Sequence, residues 1–201
     1  LEETMKKLEI LSGPEIKYKG YYSLTETILR FRQNDGTMSK TVSRLNLDRP
    51  NASCVLLYDP ATDELVMVRQ FRYSVYVGGD GGWMTEIVAG MIDPDDDPEN
   101  AARREVMEET GYEVREIEHL YTFYPSPGGC SEKCFIYAAV ISADMKVGAG
   151  GGHPDEGEDI EVLKIRSDEV LAMLDRGEIN DGKTLVALQW FRENRGVWPK
   201  A

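Results

Sequence analysis

A chain of 201 residues, 41% hydrophobic, is long enough to bury one large core, or one core with a small appendage. With 36 acidic against 23 basic side chains, its net charge of −13 excludes a nucleic-acid backbone as partner, since that partner wants a basic face. No run of about 18 apolar residues is present, the charged start LEETMKKLEI lacks the apolar centre of a secretion signal, and the odd set Cys54, Cys130 and Cys134 reads as a reduced, cytoplasmic chain with no membrane span.

Residues 16–22, 23–33 and 38–47 read as three strands, with Asn34-Asp35-Gly36 as a hairpin turn. Three short strands bury little, so a sheet over residues 1–48 has to pack on the rest of the chain or on a second subunit. Tyr18, Tyr21, Tyr22 and Phe31 suit core or cross-strand positions. Tyr21 and Tyr22, following Gly20, equally suit stacking on a flat aromatic ring.

Residues 49–201 read as the main domain. Residues 52–58 and 64–70 are strands joined by Asp-Pro-Ala-Thr-Asp, and Arg69 and Arg72 follow. A glycine loop at 78–82 leads to a strand over 83–89, which delivers the chain to Gly90. A helix is expected over 99–110, then strands over 114–124, 133–141 and 159–165, with a rigid loop at 124–129 and a glycine-rich acidic loop at 148–157. Two packing helices close the chain, one from an N-cap at Ser167 to a C-cap at Gly177, the other over 184–194. Strands outnumber helices, which suits an α/β mixed sheet covered by helices and not a strict doubly wound repeat. Gly177 to Thr184 fits the P-loop pattern literally, but a helix precedes it where the phosphate mechanism needs a strand. The run Asp93-x-Asp95-x-Asp97 fails as a calcium loop, because Pro98 and Arg104 stand where Gly and Glu are required.

The chemistry concentrates at residues 90–112. On a helix, Glu105 lies one turn before Glu108 and Glu109, on a shared face. Arg104 offsets Glu108 at that spacing, and nothing offsets Glu105, so the pair reads either as a solvated acidic face or as a site for a hard divalent cation such as Mg2+. A bound Mg2+ bridges phosphate oxygens, which implies a diphosphate substrate. A second acidic element is expected at Asp155, Glu156, Glu158 and Asp159, on a loop that could close over substrate.

The stretch from Gly90 to Tyr112 resembles the Nudix box, G-x5-E-x7-RE-U-x-EE-x-G-U. Gly90, Arg104, Glu105, Val106, Glu108, Glu109, Gly111 and Tyr112 match, and Asp96 stands where the pattern has Glu. Through KGYYSL, VRQFRY, EIVAGMID, SPGGCSE, EGEDIEV, GEINDGKT and ALQWF the chain resembles the ADP-ribose and GDP-mannose pyrophosphatase branch of the Nudix hydrolases from Lys17 to Phe191. The resemblance implies an α/β/α Nudix sandwich with a mixed sheet. It also implies an N-terminal antiparallel sheet, residues 1–48, exchanged in a homodimer and contributing substrate contacts. The implied activity is Mg2+-dependent hydrolysis of a nucleoside diphosphate sugar, with Mn2+ able to replace Mg2+. Carried over, the metal site falls on the Ala89 carbonyl, Glu105, Glu109 and Glu158, with Arg104 among the catalytic residues and Glu156 as the loop base. Substrate positions fall on Tyr21 and Tyr22 for base stacking, Arg44 and Arg49 across the subunit boundary, Arg72 for phosphate, and Ser126, Pro127, Gly128 and Glu132. KGYYSL and EIVAGMID lean toward ADP-ribose, the preferred substrate here. The GAGGG run and GEINDGKT lean toward GDP-mannose, and Leu45 stands where the ADP-ribose enzymes often have Glu. The alternative is a non-catalytic module that senses such a nucleotide.

Overall fold

A computed structural model describes residues 8–153, 155 and 157–199; the charged start at residues 1–7 and the candidate base Glu156 lie outside the described residues. The chain divides into two compact units. One holds the residues up to Pro50 together with Tyr124–Glu132, and the other holds Asn51–Phe123 and the chain from Lys133 onward.

In the first unit β1 (Leu8–Lys19), β2 (Ser23–Phe31) and β3 (Val42–Asp48) form an antiparallel sheet in that order. The turn falls where Asn-Asp-Gly predicts it: Gln33 N–H donates to Thr37 O at 2.8 Å, and Asp35 Oδ1 accepts from Thr37 N–H at 2.9 Å. The first strand starts eight residues before the predicted 16–22. Gly13-Pro14 reads as a breaker, but the sheet absorbs it as a register shift between Ser12 and Glu15. The third strand starts late because Ser39 returns to Phe31, its N–H donating to Phe31 O and its Oγ accepting from Phe31 N–H. Within this chain Tyr18 (63%), Tyr21 (76%) and Phe31 are exposed, so they are not core residues. Residues 124–132 join this unit: Leu47 N–H donates to Gly129 O at 2.8 Å, and Ser131 N–H donates to Leu47 O.

The second unit is built on β4 (Ala52–Asp59), β5 (Glu64–Phe71), β6 (Trp83–Glu86), β7 (Val88–Met91), β8 (Glu118–Phe123), β9 (Cys134–Val140) and β10 (Glu161–Arg166). Its helices are α1 (Tyr73–Gly78), α2 (Pro98–Thr110), α3 (Ser167–Asp175) and α4 (Gly182–Asn194). The sheet runs β10-β5-β4-β9-β8, with β4 and β9 parallel and the other pairs antiparallel, so it is mixed as expected. Strand alternation sorts the core into two faces. Cys54, Leu56, Tyr58, Leu65 and Met67 pack with Val170, Leu171, Leu174, Leu188 and Phe191 of α3 and α4. Val55, Leu57, Val66 and Val68 pack with Ala102 and Val106 of α2. Two helical layers around a sheet make the sandwich, and each fully buried Leu or Val contributes roughly 1.5–3 kcal/mol to it.

The predicted strand over 83–89 is two strands. β4 and β5 pair near their turn, Leu57 with Val66, and then splay; β6 continues along β5 while β7 continues along β4. Ile87 sits at the fork, fully buried. Among the described residues no helix is long and apolar enough to cross a membrane. Ser167 is the first residue of α3 and not its cap: its Oγ donates to Asp63 Oδ1 at 2.6 Å, which ties the helix to the β4–β5 turn. At the P-loop look-alike, α3 precedes the turn and Asp181 caps α4, accepting from Thr184 N–H at 3.0 Å, so the helix-turn-helix reading holds.

Candidate active site

Helix α2 begins because Asp97 caps it, Oδ1 accepting from Glu99 and Asn100 N–H, with Pro98 in the first turn; it ends at Gly111, φ 70°. Asp96, the departure from the box pattern, serves the turn before the cap, its Oδ1 accepting from Asp97 N–H at 2.9 Å. The helix turns Ala101, Ala102 and Val106 into the core, and the same burial draws in Glu105 (9% exposed) and Glu109 (1%).

Strand β7 passes beneath these two carboxylates. Ala89 N–H donates to Glu109 Oε2 at 3.3 Å. A Cβ on Gly90 would stand 1.8 Å from the Glu105 carboxyl carbon, so only glycine leaves room for that group. Arg104 reaches further than helix spacing predicts. Its Nη1 donates to Glu105 Oε1 at 2.7 Å and to Glu108 Oε2 at 3.1 Å, and its Nη2 donates to Met91 O at 3.0 Å. Glu105 therefore has a cationic partner, contrary to the spacing argument, because the long guanidinium fork spans adjacent positions.

Burial pushes Glu105 up from 4.5 to about 7; Arg104 draws it back, while the charges of Glu108 and Glu158 add to the rise. Burial pushes Glu109 up from 4.5 to about 8, and the Glu105 and Glu158 charges add to it. The three carboxylates thus act on one another, and Arg104, bonded to Glu105, does not offset the burial. Among the described residues no three histidine, cysteine or acidic side chains are already closed into a metal cage. Each carboxylate is held back by a local donor: Glu105 by Arg104, Glu109 by Ala89 N–H, and Glu158 by His153 N–H at 3.0 Å. The donor set, all carboxylate oxygens and two of them buried, fits a hard divalent cation such as Mg2+ or Mn2+ once those oxygens turn inward.

Beside this group stands a second cluster that the sequence reading missed, apart from Arg72. Glu86, 1% exposed, accepts from Arg72 Nε at 3.0 Å and Nη2 at 2.7 Å, and from Lys183 Nζ at 2.8 Å. Lys183 also pairs with Asp181 at 3.0 Å. Burial alone would raise Glu86, but Arg72 and Lys183 overcome it and hold the carboxyl below its usual range. Arg72 is thereby fixed through one edge of its fork, and the Glu109 charge also acts on it. The one signal was a glutamate inside the apolar run WMTEIVA.

In the first unit the Tyr21 and Tyr22 ring centroids are 4.8 Å apart, the Arg49 guanidinium lies 5.0 Å from the Tyr22 centroid, and Arg49 Nη2 pairs with the buried Glu132 at 3.4 Å. Arg44 is exposed, with Nη1 donating to Ser43 O at 3.0 Å. Ser126, Pro127 and Gly128 form an exposed turn whose Ser126 O accepts from Gly129 and Cys130 N–H.

A seven-stranded mixed sheet between helical layers carries the RE-x-x-EE helix across it, with Gly90 of β7 against Glu105. Residues 47–188 match the NUDIX domain family, and the chain belongs to that family. It is 38% identical over 190 residues to a GDP-mannose pyrophosphatase of Shigella flexneri serotype 5b, covering 94% of each chain. It is 38% identical to that of Escherichia coli O139:H28 over the same shares, and 42% identical to that of Citrobacter koseri over 75% of this chain and 78% of that one. In fold it is similar to the crystal structure of an ADP compounds hydrolase, with a TM-score of 0.71 at 22% identity, covering 96% of both chains.

Proposed function

We propose that this chain hydrolyses the diphosphate bond of a nucleoside diphosphate sugar with Mg2+ bound, Mn2+ being able to replace it. The buried pair Glu105 and Glu109, acted on by the charge of Glu158, carries the reading. Carboxylates kept from water whose charges add to one another invite a hard cation. Such a cation supplies charge stabilisation at phosphate oxygens and an activated water. The Ala89 carbonyl joins the three glutamates as a ligand. Arg104 sets the direction of Glu105 and offsets Glu108. Arg72, oriented by Glu86, binds phosphate. Glu156 takes the proton of the attacking water. Water adds to one phosphorus, the bridging P–O bond breaks, and two phosphomonoesters leave.

Tyr21 and Tyr22 stack on the base, and Arg44, Arg49, Ser126, Pro127, Gly128 and Glu132 complete the substrate contacts. Relatives named GDP-mannose pyrophosphatase, 38% identical over 94% of the chain, support GDP-mannose as substrate, giving GMP and mannose 1-phosphate. A second reading, ADP-ribose to AMP and ribose 5-phosphate, is supported by the KGYYSL and EIVAGMID segments. Comparing kcat/KM for the two under Mg2+ decides between them. Turnover of neither, with binding intact, favours a sensing module. The exposed apolar side chains of the first unit, among them Ile10, Ile16, Leu45 and Leu47, support a homodimer that exchanges this sheet. A fully active monomer in sedimentation contradicts it. The three free cysteines support a reducing, cytoplasmic setting.

A further inference from the structure

The loop expected to be pliable over 148–157 begins as part of the α2 helix end. Gly111 N–H donates to Met107 O, Gly152 N–H to Glu108 O at 3.1 Å, and Gly151 N–H to Glu109 O at 2.8 Å. Lys146 Nζ donates to Thr110 O, and Val147 and Gly148 N–H both donate to Gly111 O. Each backbone carbonyl from Met107 to Gly111, the groups a helix end leaves without partners, is thereby satisfied. A second bond from Lys146 to Ala149 O, at 3.1 Å, ties the cation to the strap itself.

The strap ends where Glu158 begins to be held. A Cβ on Gly152 would stand 2.6 Å from Glu158 Oε2 and 2.8 Å from Glu158 Cβ. The next amide, His153 N–H, donates to that same Oε2. Ile160 N–H then closes the loop onto Gly151 O at 3.2 Å. One glycine therefore bonds the carbonyl of the box residue Glu108 and, lacking a Cβ, leaves room for the Glu158 carboxylate that the next amide holds.

We propose that Gly152 is a positioning residue: bonded to the end of the box helix, it sets the place of the Glu158 carboxylate relative to Glu105 and Glu109. This rests on the metal-site reading above. Neither the helix nor the loop alone determines that distance, and the strap makes it a property of the backbone.

The test is Mn2+ affinity of the full-length, metal-stripped protein, read by the spin resonance of free Mn2+, with thermal midpoints alongside. Gly152→Ala is expected to weaken Mn2+ about 10- to 100-fold, the range for groups that orient metal ligands. Gly177→Ala is the matched control, since its φ of 74° is close to the 81° of Gly152 while its Cβ would meet nothing within 4 Å. It is expected to keep Mn2+ affinity and to lose less midpoint, since Gly152→Ala also meets the buried Ile160 Cδ1 at 2.9 Å. In a Glu158→Gln background Gly152→Ala is expected to add nothing. Lys146→Met, which frees the strap without adding an atom against Glu158, is expected to weaken Mn2+ several-fold, and it decides the matter if Gly152→Ala does not fold. Gly152→Ala affinity within about twofold of the parent, or an equal loss in both backgrounds, overturns the inference alone. Unchanged affinity in Glu158→Gln itself overturns the metal role of Glu158 and the inference with it.

Discussion

Gly90→Ala separates the placement of Glu105 from the stability of the fold. The added methyl carbon would stand 1.8 Å from the Glu105 carboxyl carbon, and ordinary contact begins at 3.4 Å, so the carboxylate has to retreat by about 1.6 Å. The clash is with the far end of a flexible side chain, and Gly90 is not in the left-handed region, so the backbone can stay. A misplacement of about 1 Å at a catalytic group costs about 10²-fold, so kcat is expected to fall by about that factor or more. Stability moves little. Alanine gains about 0.4–1 kcal/mol through the unfolded chain, and Arg104 loses one bond while keeping Glu108 and Met91 O. At about 2–4 °C per kcal/mol for a chain of this size, the midpoint is expected within about 5 °C of the parent. Steady-state kinetics and a circular-dichroism melt check both halves. A soluble, folded variant with near-parental kcat refutes the reasoning, and so does a collapse of the melt.

Glu109→Gln keeps an acceptor for Ala89 N–H and removes a buried charge; kcat is expected to fall about 10³-fold while the metal-free midpoint holds or rises, and the opposite pairing removes Glu109 from the site. Glu105 and Glu109 are raised from 4.5 to about 7 and about 8, so the folded chain holds more protons than the unfolded one between those values. Metal-free stability is therefore expected to fall as pH rises from about 4.5 to about 8, and Mg2+ to stabilise more at the upper end; melts in chelator and in Mg2+ across that window check the sign, and a Mg2+ increment that shrinks with rising pH contradicts it. Lys183→Met leaves the buried Glu86 with Arg72 as its sole cation among the contacts described, and about 1.5–3 kcal/mol of stability is expected to go; a chemical-denaturation midpoint near the parental value contradicts that.

What the sequence disclosed was local. Pro98 in the first turn, the carboxylate spacing and Gly111 all act within α2, so the helix bounds follow closely from the residues, although the cap at Asp97 is seen only in the structure. What it hid joins distant positions. Glu86 and Lys183 meet across 97 residues, brought together where the first turn of α4 meets the end of β6 and Ile87 N–H donates to Thr184 Oγ1. The break at Ile87 is invisible in WMTEIVAG because no turn former interrupts the run before Gly90; it arises from the choice of partner, β5 before it and β4 after. The glycines at 148–152 read as slack because periodicity sees no element there, whereas their amides complete the helix end. Spacing offers Arg104 one acidic partner, Glu108, whereas it also pairs with Glu105 and reaches Asp93 at 3.9 Å, since side-chain length is not in a periodicity.

The most direct measurement follows GDP-mannose by phosphorus magnetic resonance with the parent protein, with Mg2+ and then with chelator. The two diphosphate signals are expected to be replaced, only with Mg2+, by two phosphomonoester signals in equal amount, those of GMP and mannose 1-phosphate. Equal monoesters from ADP-ribose alone keep the reaction and change the substrate. A diphosphate that persists under Mg2+ for both compounds, or a GDP signal from cleavage at the sugar carbon, contradicts the account.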